Sequence, residues 1–461
     1  MFTLDEIAKV CQGKLISGEK NLGISRVSTD SRTIQKNDLF VALRGERFDG
    51  HAFLKEAFQK GAACALVDQK PSFGFPVVLV PDTLKALQRL ARFYRALFSI
   101  PTIAVTGSAG KTTTKECIGV LLSDVFKVRV GFGNWNNHIG VPLNLFKLSA
   151  DDQCLVLELG ANHAGEIQTL AEIAQPTVGV ITGIYPVHLE GFGSLEGIYR
   201  AKLELADYLD HTRGTVIANG DDPELVRRLR GRAFSLVTFG TNQNCDYVIS
   251  HLTAQDGIVY FQVNEEHEFR LRGHGTFNAM NAMAAIATAG YFNLDLKSLS
   301  GAWQALPPIE GRFRLEQFES HDIQVVDDSY NANPMSFKRA VESFCELLKD
   351  ARRRIVIVGD MLELGEQSRF YHEALGKLLA ERNIQMVVGV GPMSRFTLET
   401  LVDTASEIKT AHFERADEAS KFLVQALQAG DSILIKGSHG MRLGQIKLVL
   451  EEHFKTQPAS I

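Results

Sequence analysis

Two hydrophobic periods alternate along most of the chain. Short apolar runs of strand length, closed off by turn residues, recur between longer stretches whose apolar positions return every three or four residues. The first kind predicts buried strands and the second predicts amphipathic helices. Their alternation predicts α/β domains with largely parallel sheets. Residues 39–43 and 77–80 read as strands and 83–98 as a helix, which predicts a small mixed α/β domain at the N-terminus. Pro101 punctuates the chain before a buried-type strand at 102–105. Further strands are expected at 154–157 and 178–181. Four more, at 323–327, 355–358, 386–390 and 432–436, are separated by helical patterns and predict a doubly wound sheet.

The length changes this picture into domains. The 461 residues amount to about three units of roughly 150 residues. The order of predicted elements, with Pro101 and the Pro307-Pro308 pair as punctuation, places them at 1–99, 100–312 and 313–461. The balance of 45% hydrophobic and 22% charged residues is that of a globular protein. A net charge of −5 gives no electrostatic case for a nucleic-acid partner. The six cysteines, Cys11, Cys64, Cys117, Cys154, Cys245 and Cys345, show no metal or redox spacing and read as reduced thiols. Asp5 and Glu6 stand where a signal peptide would be basic, and no apolar run has the length of a membrane span. A cytoplasmic location without stable membrane insertion is expected.

The first chemistry-bearing motif is Thr106-Gly107-Ser108-Ala109-Gly110-Lys111-Thr112, followed by Thr113. It follows a strand and opens a helix, the context of a phosphate-binding loop. Glycines let backbone N–H groups approach phosphate oxygens, and the helix N-terminus adds partial positive charge. Lys111 would neutralise β- and γ-phosphates, and the Thr112 hydroxyl would ligate Mg²⁺. Val105 stands at the first glycine of the longer phosphate-loop pattern, so an ordinary glycine turn is the alternative.

Three residues downstream carry potential metal chemistry. Glu158 ends a predicted strand, where ligand sites of doubly wound sheets lie, and a carboxylate there suits Mg²⁺. A solvated strand-end acid is the alternative. His188 follows the next strand, where a lone loop histidine is more often structural or exposed than a ligand. Lys202 lies in a helical pattern that Ser194 would cap, where a solvated face is the ordinary expectation.

The ordered set TGSAGKT, ELGANHAGEI, HLEGFGS, NAMNAMAA, EGRFR, DDSYNANP, GDMLELGE and KGSHGMRL, with STDSR and GERFDGHAF near the N-terminus, resembles the Mur ligase superfamily. The resemblance spans essentially the whole chain. It implies an N-terminal domain that holds a uridine nucleotide, a central P-loop ATPase-like domain and a C-terminal Rossmann-like lid. ELGANHAGEI, DDSYNANP and GDMLELGE point to the branch that joins D-alanyl-D-alanine to UDP-N-acetylmuramoyl-tripeptide in peptidoglycan synthesis. The implied reaction phosphorylates the terminal carboxylate with ATP. The dipeptide amine then attacks the acyl phosphate. The implied cofactors are ATP, two Mg²⁺ ions and a CO₂-derived carbamate on Lys202, and the implied state is a monomer.

The resemblance also distributes roles. Lys111, Glu158, His188 and Lys202 would be catalytic, and Thr112, Glu158, His188 and carbamylated Lys202 would hold metal. Asn278 and Asn281 would contact the adenine, although Phe277 stands where relatives commonly have His. Arg312 would reach the ATP phosphates and Asp328 the ribose. Left to themselves, Arg312 would read as a surface ion pair and Asp328 as a turn-forming acid. Asn134, Asn137, His138, Asn162, His163 and Glu166 would line the substrate cleft, with turn chemistry as the alternative for the asparagines. Ser31, Arg32, Asp49, Gly50 and His51 would meet the uridine diphosphate part. Asn331, Asn333, Lys436 and Ser438 would line the D-Ala-D-Ala site. Asn333-Pro334 also fits a helix start.

The diaminopimelate-adding ligase of the family carries D-N-P-R, where this chain has Gly391-Pro392-Met393-Ser394-Arg395. A nucleotide-driven switch without ligation is the alternative from another class. It would have no need of Glu158, His188 and Lys202 together.

Overall fold

The computed structural model describes residues 1–45, 48–72, 74–255, 257–272, 275–305 and 311–456. Three principal sheets follow one another along the chain. The first has five strands, with Arg26–Ser28, Asp38–Val41, Ala62–Val67 and Val77–Leu79 parallel and Lys14–Ser17 antiparallel at one edge. Its flanking helix Thr83–Arg95 starts on the side chain of Asp82, which accepts from Lys85 N–H at 2.9 Å. The helix buries Thr83, Ala86, Leu87, Leu90 and Ala91, a single stripe with helical spacing. Each of these leucines contributes roughly 1.5–3 kcal/mol by leaving water.

The central sheet has nine strands. Thr102–Thr106 lies inside it, between Cys154–Glu158 and Val178–Ile181, all parallel. These three strands are buried on both faces, as their unbroken apolar runs require. The parallel run continues through Thr215–Asn219, Ser235–Gly240 and the start of Tyr247–Gln255. Ile258–Val263 and His267–Arg272 then close that edge antiparallel. The third sheet has six strands, parallel except for the edge strand Arg314–Phe318. The α/β expectation holds, and the sheets are mixed rather than uniformly parallel. The Pro307-Pro308 pair, and Glu46 and Arg47 of the GERFDGHAF segment, lie outside the described residues. All six cysteines are free.

Parallel pairing puts the carboxyl ends of neighbouring strands together. Glu158 stands in register with Val105, and Asp328 with Lys436. The active ends of the central and C-terminal sheets therefore face a common cavity.

Candidate functional site

The strand Thr102–Thr106 passes into the helix Lys111–Leu122 through a tight loop. Gly107 (φ 145°) and Gly110 (φ 80°) lie where side chains are disfavoured. Space forbids them too, because a Cβ on Gly107 would meet Thr182 Oγ1 at 2.1 Å and one on Gly110 would meet Asn281 Oδ1 at 2.2 Å. The loop is tied to the next strand end. Thr182 Oγ1 donates to Ala109 O at 2.6 Å, and Ser108 Oγ both donates to Tyr185 O and accepts from Tyr185 N–H at 2.9 Å. Lys111 folds over the loop and donates to Gly107 O at 3.0 Å. Its ammonium is less stable than usual because burial outweighs the attraction of Glu158.

Glu158 is buried at the end of its strand. Thr112 Oγ1 donates to its Oε2 and Asn136 Nδ2 to its Oε1, each at 2.7 Å. Arg312 lies on the other side of Thr112, with Nη2 3.5 Å from the hydroxyl. Its guanidinium stacks on Tyr330 at 4.0 Å, while its Nε is buried without a hydrogen-bond partner. A buried donor left open beside a phosphate loop fits an anionic oxygen. A solvated strand-end role for Glu158 and a surface ion pair for Arg312 are both excluded.

Lys202 lies on the helix Leu195–Thr212, which Ser194 caps by accepting from Gly197 N–H at 3.1 Å. The lysine is buried, not on a solvated face. Its ammonium donates to Ala161 O at 3.3 Å and lies 5.2 Å from the Phe192 ring, with no ion pair among the described residues. Burial, reinforced by the charge of Lys111, pushes its pKa down to about 7. Ala161 lines the cavity, so Lys202 approaches that wall from behind.

The cavity measures about 380 Å³. Ser108 to Thr113, Glu158, Asn134, Asn137, His138, Asn162, Glu166 and His188 line it from the central domain. Asn278 and Asn281, joined by a 3.3 Å hydrogen bond at the start of the helix Phe277–Tyr291, lie against the phosphate loop. Phe277 also lines the cavity and packs edge-on against Phe313. Arg312, Asp328, Asn331, Asn333 and Lys436 complete the lining.

Asp328 and Lys436, expected in two subsites, form one buried ion pair at 2.5 Å. Lys436 also donates to Asn331 O, and Asp328 accepts from Phe313 N–H. Burial raises the carboxyl and lowers the ammonium, and the pairing opposes both shifts.

Several expected residues are otherwise engaged. Asn333 caps the helix Pro334–Leu347 in a capping box with Ser336, so its helix-start reading holds. Asn137 Oδ1 accepts from Ile139 and Gly140 N–H, which is turn chemistry. Thr106 donates to Leu159 O, and Ser438 accepts from Leu362 N–H; neither lines the cavity. His163 is exposed and meets Glu166 at 3.2 Å, outside the lining.

The N-terminal set lies apart from the cavity. Ser31 donates to Glu56 at 3.2 Å and Arg32 pairs with Asp30 in solvent. Asp49 meets His51 Nδ1 at 2.6 Å, while His51 Nε2 accepts from Asp68 N–H. Gly50 presses against Leu43, whose carbonyl oxygen would stand 2.7 Å from an added Cβ.

Other site residues were not singled out by the sequence. Asn136, Tyr330 and Glu363 lie inside the motifs GNWNN, DDSYNANP and GDMLELGE, so their motifs signalled them. Glu363 contacts His188 Nδ1 from the C-terminal domain. Arg339 donates to Tyr185 Oη at 3.0 Å, and no local pattern marks either residue. Among the described residues no group of three or more His, Cys, Asp or Glu side chains could hold a metal unaided. Mg²⁺ is ordinarily held by one or two carboxylates plus substrate phosphates and water, which Glu158 and Thr112 at a phosphate loop fit.

Three family models cover the three sheets in turn. The Mur ligase family catalytic domain matches residues 23–95, the Mur ligase middle domain 105–289, and the Mur ligase glutamate ligase domain 311–439. The chain belongs to the Mur ligase family. It is similar to the UDP-N-acetylmuramoyl-tripeptide–D-alanyl-D-alanine ligase of Bacillus subtilis (strain 168), with 34% identity covering 96% of this chain and 97% of the relative. MurF from Acinetobacter baumannii superposes with a TM-score of 0.88 at 31% identity, over 98% of this chain and 99% of that one. MurF ligase from Thermotoga maritima in complex with ADP gives 0.80 at 28% identity, over 95% and 99%.

Proposed function

We infer that this chain is an ATP-dependent carbon–nitrogen ligase of the MurF type, adding D-alanyl-D-alanine to UDP-N-acetylmuramoyl-tripeptide in peptidoglycan synthesis. The observation that carries this reading is one cavity in which the phosphate loop and Glu158 of the central domain face Arg312, Asp328 and Lys436. The work divides among domains placed at 1–99, 100–312 and 313–461. The first anchors the uridine nucleotide through Ser31, Arg32 and the Asp49-Gly50-His51 turn. The second binds ATP, and the third closes over it and presents the dipeptide.

A carboxylate is a poor electrophile, so the tripeptide carboxylate is first phosphorylated. Its oxygen takes the γ-phosphoryl group and ADP leaves. The amine of D-Ala-D-Ala then forms the C–N bond, and the C–O bond to phosphate breaks. Backbone N–H groups of residues 109–112, with Lys111, cradle the phosphates, while Ser108 N–H holds the loop to Gly183 O at 2.8 Å. The open Nε–H of Arg312 donates to a phosphoryl oxygen as charge spreads over it. Glu158 and Thr112 would hold Mg²⁺, with His188 beside a second ion, and the metal supplies charge neutralisation at the phosphates. Asp328 orients the ribose, and Asn278 and Asn281 hold the nucleotide side of the cavity. Asn134, His138, Asn162 and Glu166 face the peptide, and Asn331 and Lys436 the dipeptide, while Asn137 and Asn333 shape the wall through their turn and cap. Water is kept from the acyl phosphate by the seated C-terminal domain.

Lys202 suits carbamylation. A pKa pushed down to about 7 leaves far more of the amine unprotonated near neutral pH than in an ordinary lysine, so a lone pair is available to form an N–C bond to CO₂ with loss of a proton. The product carries an oxygen anion where a cation stood, beside a wall that needs metal ligands.

No helix of the described residues is long and apolar enough to cross a membrane. Use of ATP and a UDP-linked precursor supports a cytoplasmic location, and a cavity lined by residues of one chain supports a monomer as the working unit. Phosphate release tests the reading. Release strictly dependent on both UDP-MurNAc-tripeptide and D-Ala-D-Ala is expected, and substrate-independent hydrolysis would return the chain to the nucleotide-switch class.

A further inference from the structure

Besides the Arg339–Tyr185 contact, the central and C-terminal domains meet beside the cavity through a loop of each. The central loop carries His188 at φ 49° and the C-terminal loop carries Glu363 at φ 63°. Non-glycine residues enter this left-handed region when their surroundings hold them there, and such positions gather at functional sites. Here two of them touch, 175 residues apart in sequence, with the Glu363 carboxylate on His188 Nδ1. The backbones meet as well. Glu190 N–H donates to Glu363 O at 3.2 Å, and a Cβ added to Gly365 would stand 3.3 Å from Glu190 Cγ.

The Glu363 loop is braced inside its own domain. Met361 N–H donates to His372 Nε2 at 3.1 Å and Leu362 N–H to Ser438 Oγ at 2.9 Å. Ser438 follows the strand Asp431–Lys436, whose last residue lines the cavity and pairs with Asp328. Glu363 therefore moves with the part of the C-terminal sheet that bears the site. A carboxylate on Nδ1 fixes the proton there and leaves Nε2 as the nitrogen with an available lone pair.

We propose that Glu363 is a positioning residue: seating of the C-terminal domain brings its carboxylate onto His188 Nδ1, and this sets the tautomer and orientation that His188 needs on the metal side of the cavity. The proposal rests on the reading of His188 as a metal-side group. It goes further by tying metal affinity to the position of the other domain, so that the lid is seated before the metal side is complete.

The test uses the full chain with a non-hydrolysable ATP analogue and Mn²⁺ as the probe, followed by electron paramagnetic resonance. Glu363→Ala should weaken Mn²⁺ binding roughly 10–100-fold, the range seen when the outer partner of a ligating histidine is lost. Its melting temperature and metal-free nucleotide affinity should stay those of the native protein. Glu363→Gln, whose amide oxygen still accepts from Nδ1–H, should bind Mn²⁺ almost as the native protein does. If the alanine variant does not fold, Glu363→Met, of similar length without a side-chain oxygen, takes its place.

His188→Ala is the reference. Unchanged Mn²⁺ binding in His188→Ala would overturn the metal-side reading of His188 and the proposal with it. Weakened binding in His188→Ala but not in Glu363→Ala would overturn the role of Glu363 alone. A glutamine variant as weak as the alanine variant would assign the effect to charge instead of orientation, and also overturns it. Weakening in both alanine variants with recovery in glutamine supports the positioning role.

Discussion

Thr112 donates its hydroxyl proton to Glu158 across 2.7 Å, joining the first turn of the helix after the phosphate loop to the end of a neighbouring strand. Each is a hard oxygen donor, and the contact brings them to one point of the cavity wall. Asn136 holds the other carboxylate oxygen, so the acid is aimed from both sides.

Glu158→Gln should keep this geometry and lose the charge. Turnover should fall by about 10²-fold or more, the scale of losing one preorganised electrostatic partner of a transition state. Glu158→Ala should lose at least as much. Initial phosphate-release rates at saturating substrates check it, and a glutamine variant within a few-fold of native rate would remove Glu158 from the metal site.

Lys202 gives a pH signature separate from activity. With a folded pKa near 7, below that of an ordinary lysine, the folded chain releases this proton before the unfolded chain does. Between about pH 7 and the ordinary lysine range the unfolded state therefore binds more protons, and this group's contribution to stability rises with pH. In CO₂-free buffer, native protein should gain stability relative to Lys202→Met as pH rises through that window. Denaturant midpoints at several pH values measure the difference. Turnover of the native protein should rise with added bicarbonate and that of Lys202→Arg should not. A fully active Lys202→Arg variant would sink the carbamate.

Arg312 combines a stacked plane with an unpartnered Nε. Lysine supplies charge but neither the plane nor the fork. Arg312→Lys should lower kcat/KM for ATP by about tenfold or more, equivalent to about 1.4 kcal/mol. Tyr330→Phe, which keeps the ring, should be close to native, and Tyr330→Ala should resemble Arg312→Lys. Steady-state kinetics with ATP varied distinguish these outcomes.

The Asp328–Lys436 pair separates stability from function. Removing either partner leaves an uncompensated buried charge, and a loss of about 3–5 kcal/mol is expected. The double variant Asp328→Leu, Lys436→Met should recover much of that stability while remaining inactive. Urea unfolding of the three variants, with assays on the folded fractions, tests it. Recovery of activity in the double variant would remove both residues from the site.

Much of this was legible locally. The strand–loop–helix unit at 102–122, the Ser194 cap, the Asn333-Pro334 helix start and the apolar strand runs each depend on residues within a few positions of one another. The strand ends differ by a residue or two, and the helix after the phosphate loop begins at Lys111, inside the motif. The edge strands at 247–272 are less legible, because their polar residues and intervening turns break up the apolar runs that mark the buried strands.

The sequence by itself determined the α/β class, the phosphate loop and the family, since residue types at short fixed spacings carry all three. Tertiary structure alone decided that Lys202 is buried and its ammonium weakened, and that Asp328 and Lys436 share one ion pair. It also turned His51 inward between Asp49 and Asp68 and placed Glu363 on His188. Those relationships span up to 175 residues of chain. They depend on strand order, on which side of a sheet a helix packs and on how two domains seat. Neither helical nor strand periodicity encodes that choice, because many distant partners satisfy the same local pattern.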